Sequence, residues 1–275
     1  MRRFGRRQLF ALGGGAALGA GLTGLAPLPG PSDDEEDEDD DRVQNPKSGG
    51  QRVVWSVVTE QPIAALTFDD GPHPGLTPRI LDQLDRFGVP ASFMMMGHSA
   101  AAYPSLVAEV VAAGHDIGNH SWRHLNLART SSSETRREIE IGAEKIEAVS
   151  GQAIEMFRPP RGRLNEAALR ILAPLRQDIV LWSVTRGPLD WRSPSRVAAH
   201  VVDAVGPGDI IDLHDGIGRG TFAPDTPGGR ELMDRRLVEV AALPRILEGI
   251  AAKGIRLVRL SELLPPAPLG PAGVL

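Results

Sequence analysis

Seven short apolar runs alternate with helical patterns, and this alternation constrains the fold more than any other feature of the chain. The runs lie at residues 63–68, 91–96, 116–119, 154–158, 179–183, 209–213 and 255–260. The helical patterns lie at 77–87, 103–113, 133–150, 165–172, from 194 onward and within 230–253. Ser131 and Glu134 form a capping-box signature at the start of the third pattern. Strands that alternate with helices in this way form βαβ units, whose strands run parallel. The pattern predicts one large α/β domain built on a parallel sheet.

Polar residues of catalytic type follow several of these runs directly. Asp69 and Asp70 stand between the run 63–68 and a Gly-Pro turn, and His120 and His124 follow the run 116–119. Adjacent carboxylates repel each other, so a positive charge must hold the pair, and a metal ion is the simplest candidate. The ends of parallel strands converge on one face of a barrel. One carboxylate and two imidazoles would form a facial metal site there, and the second carboxylate would be free to act as a base.

Composition and charge exclude several classes of protein. The net charge is −5, and residues 1–42, with five arginines and nine consecutive acids at 33–41, account for −4 of it. The remainder is close to neutral and has no basic excess of the kind that nucleic-acid binding requires. The chain contains no cysteine. Disulfides, thiolate metal ligands and cysteine nucleophiles are therefore excluded.

The first 60 residues have the composition of an export signal followed by a spacer. Arg6 and Arg7 precede Leu9 and Phe10, and a weakly apolar stretch then runs to about residue 28. This is typical of a twin-arginine signal, here placed at residues 1–30. An uncleaved anchor is the alternative, and would be the one membrane contact, but six glycines in the stretch weaken it. Residues 31–60 are expected to be an acidic, disordered spacer and lead-in, and residues 265–275 a Pro-rich tail.

Five clusters, taken in order, resemble the five motifs of the polysaccharide deacetylase family, which is also called carbohydrate esterase family four or the NodB-homology domain. They are Asp69-Asp70, His120 with His124, Arg158-Pro159-Pro160-Arg161-Gly162, Asp190-Trp191 and Leu213-His214-Asp215-Gly216. The resemblance covers a catalytic domain at residues 61–264. It implies a distorted (β/α)7-type, TIM-like barrel. It also implies a hydrolase acting on carbon–nitrogen bonds other than peptide bonds. The expected substrate is an N-acetylated or O-acetylated polysaccharide such as chitin oligomers or peptidoglycan.

The resemblance assigns the metal and the proton transfers to particular residues. Asp70, His120 and His124 would bind one divalent metal ion. Zinc is the first expectation, and cobalt, nickel or manganese also suit two histidines and one aspartate. Asp69 would be the base that deprotonates water. His214 would be the acid that protonates the departing nitrogen.

The remaining motif residues would support this chemistry. By resemblance, Arg158 pairs with Asp69, and Asp190 holds the tautomer of His214. The backbone N–H of Arg161 would help to hold the oxyanion, and Trp191 and Leu213 would line the acetyl pocket. Two positions depart from the family pattern. An arginine stands at 161 where the family usually has an aromatic residue, and Asp190-Trp191 arrives about two residues late.

Two other functions are compatible with parts of the sequence. An enzyme of the same fold could hydrolyse a small non-carbohydrate amide or imide, and the aromatic content of 4% offers little surface for sugar stacking. The export signal favours a glycan, because acetylated polymers lie outside the membrane. The protein is therefore expected in the periplasm, at the cell wall or outside the cell. A cell-wall binding module without catalysis would require a missing ligand, base or acid, and all of them are present.

Overall fold

The computed structural model describes residues 52–188 and 192–264. The predicted export signal, the acidic run, the Pro-rich tail, Asp190 and Trp191 lie outside the described residues. Within them, no helix is long and apolar enough to cross a lipid bilayer.

One sheet organises the described residues, and all of its ladders are parallel. Its strands are β1 (Val53–Val54), β2 (Ile63–Asp69), β3 (Ser92–Met95), β4 (Asp116–Asn119), β5 (Met156–Phe157), β6 (Asp178–Val180), β7 (Val184–Thr185), β8 (Ile210–His214) and β9 (Arg256–Val258). The strand order is β1-β6-β5-β4-β3-β2-β8-β7, and β9 also pairs with β2. The sheet curls into a half-barrel, which confirms the predicted barrel of the (β/α)7 type.

The sheet contains two strands that the sequence pattern does not predict. β1 comes from the expected lead-in and pairs with β6, and β7 pairs with β8. Each has two residues. A strand this short has no alternation of apolar and polar residues to detect.

Helices cover the outside of the sheet, and six of the eight in the described residues form close to the predicted positions. They are α1 (Thr77–Phe87), α2 (Gly97–Ala102), α3 (Pro104–Ala112), α4 (Ser132–Ser150), α5 (Glu166–Leu175), α6 (Pro194–Ala204), α7 (Pro227–Ala252) and α8 (Leu260–Leu263). The predicted capping box begins α4: the Ser131 side chain accepts from the N–H of Glu134, whose side chain accepts from the N–H of Ser131. α4 ends at Gly151, which has a left-handed conformation.

The two faces of the central strands have different roles. In the register of β2 and β8, Thr67 lies beside Asp212 and Asp69 beside His214. Successive residues of a strand point to opposite faces. Phe68 and Leu213 therefore point away from these polar residues, and both belong to the main hydrophobic core with residues of the surrounding helices. The other face of β2 and β8 presents acids and a histidine to the barrel interior.

Candidate metal centre and active site

Asp70, His120 and His124 converge at the carboxyl ends of β2 and β4. Their ligand atoms all lie within 4.8 Å of one another. Asp70 Oδ1 is 3.5 Å from His120 Nε2 and 3.3 Å from His124 Nε2. That oxygen is buried and accepts no hydrogen bond from the described residues. The three residues predicted to bind a metal are thus brought together around one unsatisfied carboxylate oxygen.

The hydrogen bonds around this cluster suit a cation. His120 Nδ1 is 2.8 Å from the carbonyl oxygen of Arg158, which can only accept, so Nδ1 carries the hydrogen. In the neutral ring, Nε2 then has a lone pair that faces the carboxylate, as in a metal-binding histidine. Burial lowers the pKa of His124 to about 3, so this ring is neutral at working pH. Lone pairs that face one another need a positive charge between them, and a divalent ion fits this donor set.

The pKa shifts of the other two ligands have opposing contributions. Burial alone would raise the pKa of Asp70, but His124, His120 and Arg236 hold it well below its usual range. Burial alone would lower the pKa of His120, but the carboxylates of Asp69 and Asp70 raise it. The site therefore favours an ionised carboxylate at Asp70, and a metal ion bound there would compete with a proton for His120.

The backbone around the metal centre adopts unusual conformations. Asp70, Ser121 and His124 have φ values of 76°, 68° and 59°. A left-handed conformation in a residue other than glycine costs on the order of 1 kcal/mol, and such residues cluster at functional sites. A local hydrogen bond stabilises this backbone conformation, since the N–H of His124 donates to Ser121 Oγ at 2.9 Å. Gly216 also packs so closely on the Asp70 carbonyl that an added Cβ would lie 2.1 Å from its oxygen.

Asp69 lies beside the metal centre and is held by a buried arginine. Arg158 Nη1 donates to Asp69 Oδ1 at 2.7 Å, and the arginine side chain is fully buried. Further donation to Thr67 Oγ1 and to the carbonyl of Val180 fixes the guanidinium in the barrel interior. Asp69 Oδ2 faces His120 Nε2 at 3.6 Å. One oxygen of Asp69 is thus occupied by Arg158, and the other faces the metal ligands.

His214 ends β8 and makes its hydrogen bond to a residue of α7. Its Nδ1 lies 3.1 Å from Glu239 Oε2. Burial and Arg236 lower the pKa of His214, but the carboxylates of Glu239 and Asp212 outweigh them and raise it to about 9. The imidazole is therefore protonated at neutral pH and can act as an acid.

Comparison with known proteins identifies the family. Residues 56–180 match the family model described as polysaccharide deacetylase. A peptidoglycan-N-acetylglucosamine deacetylase of Bacillus cereus is 36% identical over 214 residues, which are 77% of this chain and 92% of that protein. The chain belongs to the polysaccharide deacetylase family. A chitooligosaccharide deacetylase of Azorhizobium caulinodans, another relative, is 32% identical over 195 residues, covering 70% of this chain and 90% of that one.

A solved polysaccharide deacetylase structure has the same fold. It is a peptidoglycan N-acetylglucosamine deacetylase in complex with 4-naphthalen-1-yl-N-oxidanyl-benzamide. It superimposes with a TM-score of 0.69 at 31% sequence identity, covering 80% of this chain and 96% of the other. As a member of this family, the chain is a hydrolase that acts on carbon–nitrogen bonds other than peptide bonds.

The structure corrects one of the predicted substrate-binding positions of this deacetylase. Leu213 does not line a pocket next to His214. Its side chain is 1% exposed and packs in the hydrophobic core between sheet and helices. The physical reason is the alternation of β8, which turns Leu213 away from the face shared by Asp212 and His214.

The structure describes the other predicted substrate-binding and catalytic positions only in part. Arg161 lies in the turn Pro160–Gly162 with φ of 60°, and its charge is one of the influences that lower the pKa of His124. Its backbone role at the oxyanion stays a prediction. Asp190 and Trp191 lie outside the described residues, and the acceptor that the structure provides for His214 Nδ1 is Glu239.

Sequence reasoning missed three charged residues next to the site, namely Asp212, Arg236 and Glu239. Asp212 is two residues before His214 in β8, so strand alternation could have indicated that it faces the same side. It lies 3.2 Å from Arg158 Nη1, and burial together with the charge of Asp69 raises its pKa to about 7. Arg236 and Glu239 lie on α7. No local sequence pattern indicates that they face the site, because the chain between β8 and α7 determines where the helix places them.

Proposed function

We propose that this deacetylase removes acetyl groups from an N-acetylated or O-acetylated polysaccharide, such as chitin oligomers or peptidoglycan, with one divalent metal ion. The observation that carries the proposal is the convergence of Asp70, His120 and His124 beside a second carboxylate, Asp69, and the imidazole of His214. The relatives support the substrate class, since they are named peptidoglycan and chitooligosaccharide deacetylases.

The metal site is formed by three residues, and zinc is the first candidate because two imidazoles and one carboxylate suit it. When bound, a divalent ion polarises the acetyl carbonyl and lowers the pKa of the attacking water. Arg236 donates to Asp70 Oδ2 at 3.2 Å and leaves Oδ1 directed at the two histidines. The arginine thereby fixes which oxygen is available as a ligand.

Proton transfer is divided between two residues that lie side by side at the ends of β2 and β8. Asp69 accepts the proton of the attacking water through Oδ2, while Arg158 orients the carboxylate and balances its charge. His214 carries a proton and delivers it to the departing nitrogen through Nε2, because Nδ1 is bonded to Glu239. An amine is a poor leaving group, so an N-acetyl substrate depends on this second transfer.

The proposal includes the location of the enzyme. Export by the twin-arginine pattern of residues 1–30 would carry the folded protein to the periplasm, the cell wall or the medium. Acetylated structural polysaccharides lie in those compartments. Fusion of residues 1–60 to a reporter that is active only after export would test this, and substitution of Arg6 and Arg7 by lysine should abolish the reporter signal.

Acetate release tests the function directly. Metal-stripped protein is assayed with N-acetylated chitooligosaccharides, purified peptidoglycan and a cyclic imide, before and after addition of Zn²⁺, Co²⁺, Ni²⁺ or Mn²⁺. We expect release from at least one glycan after metal is restored and none before. Hydrolysis of the imide alone would replace this function with the small-amide alternative. Failure on all substrates with every metal would overturn the deacetylase proposal.

A further inference from the structure

Glu239 is a buried acid on α7 whose two oxygens accept three hydrogen bonds and form an ion pair with a further arginine. Its side chain is 1% exposed. Oε2 accepts from the backbone N–H of His214 at 2.9 Å and from His214 Nδ1 at 3.1 Å. Oε1 lies 3.1 Å from Arg236 Nη1 and 3.1 Å from Arg186 Nε. Burial alone would raise the pKa of Glu239, but these cationic neighbours lower it, so the group is ionised.

The double contact to His214 fixes both the residue and its ring. The bond to the backbone N–H holds the end of β8, and the bond to Nδ1 sets the rotation of the imidazole. Since a carboxylate can only accept, Nδ1 must carry a hydrogen in both protonation states of His214. Nε2 is then the nitrogen that gains and loses the transferable proton, on the side away from α7.

Arg236 connects this acid to the metal centre. It lies one helical turn before Glu239 and donates to Glu239 Oε1, to the Gly216 carbonyl at 3.1 Å and to Asp70 Oδ2 at 3.2 Å. Four side chains therefore form a continuous buried path, in the order Asp70, Arg236, Glu239, His214. Both ends of the path take part directly in the reaction proposed above, and the two middle members connect them.

We propose that Glu239 is the positioning residue of His214 and that Arg236 ties it to the metal ligand Asp70, so that α7 sets the distance between acid and metal. This inference rests on the proposed function. Carboxylates that orient a catalytic histidine raise its rate contribution by fixing its tautomer and by stabilising the imidazolium. The sequence motif predicted that role for Asp190, whereas the structure assigns it to a residue 25 positions after His214.

Several charges act on His214 besides Glu239. Asp212 lies on the same strand, Arg236 on α7, and Asp70 and His124 at the metal centre. Glu239 is the one whose hydrogen bond to the ring the structure shows. Removal of the Glu239 carboxylate therefore changes the orientation of the His214 ring as well as the electrostatic field around the ring. This distinguishes Glu239 from the other charged residues.

The test compares two leaving groups in a variant that keeps the shape of the side chain. Glu239→Gln should lower kcat on an N-acetyl chitooligosaccharide by on the order of 100-fold, the contribution of one proton transfer. On 4-nitrophenyl acetate, whose leaving group needs no proton, kcat should change by less than about threefold. In a His214→Ala background, Glu239→Gln should have no further effect on the amide substrate. Glu248→Gln, an exposed acid on the same helix, is the matched control and should leave both rates unchanged.

An unchanged amide rate in Glu239→Gln would overturn the proposal. An equal loss on both substrates, together with a lower melting temperature, would also overturn it, because the role would then be structural. Imidazole ¹⁵N spectra of the wild-type protein provide a readout that needs neither activity nor a variant. They should show Nδ1 of His214 protonated throughout its titration, and a ring protonated at Nε2 alone would contradict the inference. If the wild type deacetylates no glycan but shows this tautomer, the proposed function fails while the positioning role stands.

Discussion

At the residue scale, two neighbouring aspartates are proposed to have different tasks, and β2 ends between them. In a regular strand, successive side chains point to opposite faces. Asp70 instead adopts a left-handed φ of 76°. Its carboxylate is thereby brought to the same side as that of Asp69, and Nε2 of His120 lies 3.6 Å from Asp69 and 3.5 Å from Asp70. A local conformational cost thus separates a sequential pair into the proposed metal ligand and the proposed base.

Asp69→Asn should separate these tasks. The amide cannot accept a proton from water, so kcat should fall by on the order of 10²- to 10⁴-fold. Metal content should stay the same, since Asp69 is not one of the three ligands. Activity and metal content are measured on the same preparation, with Asp85→Asn on the exposed surface of α1 as the control. Wild-type turnover in Asp69→Asn would show that the base is misassigned.

Metal affinity should depend on pH through His120. Its pKa is raised, while the pKa of Asp70 is low and that of His124 is about 3, so near neutrality His120 is the ligand that exchanges a proton. Each pH unit below the pKa of His120 should weaken the apparent affinity about tenfold, because one proton must leave for each ion bound. Calorimetric titrations at about pH 5.5 and about pH 7.5 should show weaker binding at the lower pH. Equal affinities would contradict this role for His120.

At the element scale, α4 holds the loop that carries the two histidines. Glu138 is a buried acid on this helix, and it accepts from the backbone N–H of Arg123 at 2.7 Å and from Arg123 Nε at 3.2 Å. Gly142, one turn later, lies so close to the loop that an added Cβ would be 2.8 Å from the Ser121 carbonyl carbon. The loop conformation therefore depends on the position of a helix well outside the metal site.

Glu138→Gln should weaken metal binding although Glu138 is not one of the three proposed metal ligands. Both carboxylate oxygens face donors, so the amide places one N–H₂ against a donor and loosens the loop. We expect the metal dissociation constant to rise about tenfold, as for other groups that support ligands from outside the coordination shell. Activity at saturating metal should recover most of its wild-type value. Glu140→Gln, an exposed acid of the same helix that pairs with Arg136, should leave the dissociation constant as it was.

At the scale of the whole molecule, the metal centre joins distant parts of the chain. Its ligands come from the ends of β2 and β4, and Arg236 adds α7 to the same cluster. An ion that binds only when these parts are assembled stabilises the folded state by mass action. We therefore expect folding and metal binding to be coupled.

Metal should raise the melting temperature of the protein. At a free concentration of one hundred times the dissociation constant, the free energy of unfolding should increase by about 2.7 kcal/mol. A chelator should reverse the increase. Asp70→Asn should abolish it, whereas Asp85→Asn should retain it, as measured by thermal unfolding with and without Zn²⁺. A full increase in Asp70→Asn would place the ion elsewhere.

What the sequence by itself determined was local. Apolar runs, helical periodicity and the capping box at Ser131 predicted the main elements, because their signals lie within a few residues. The pairs Asp69-Asp70 and His120 with His124 predicted a metal site, because parallel strands bring their ends together. The resemblance to a known family predicted the fold and the class of reaction.

Only the tertiary structure decided which charged residues around the site pair with one another. Asp69 and Asp212 both contact Arg158, the last residue of the fourth predicted run. Glu239 meets His214 because α7 packs beside β8, and the chain between them carries no pattern that specifies this contact. Buried charges must find partners wherever the fold places them, since an unpaired charge in the interior is too costly. That requirement acts on spatial neighbours, so it cannot be deduced from positions along the chain.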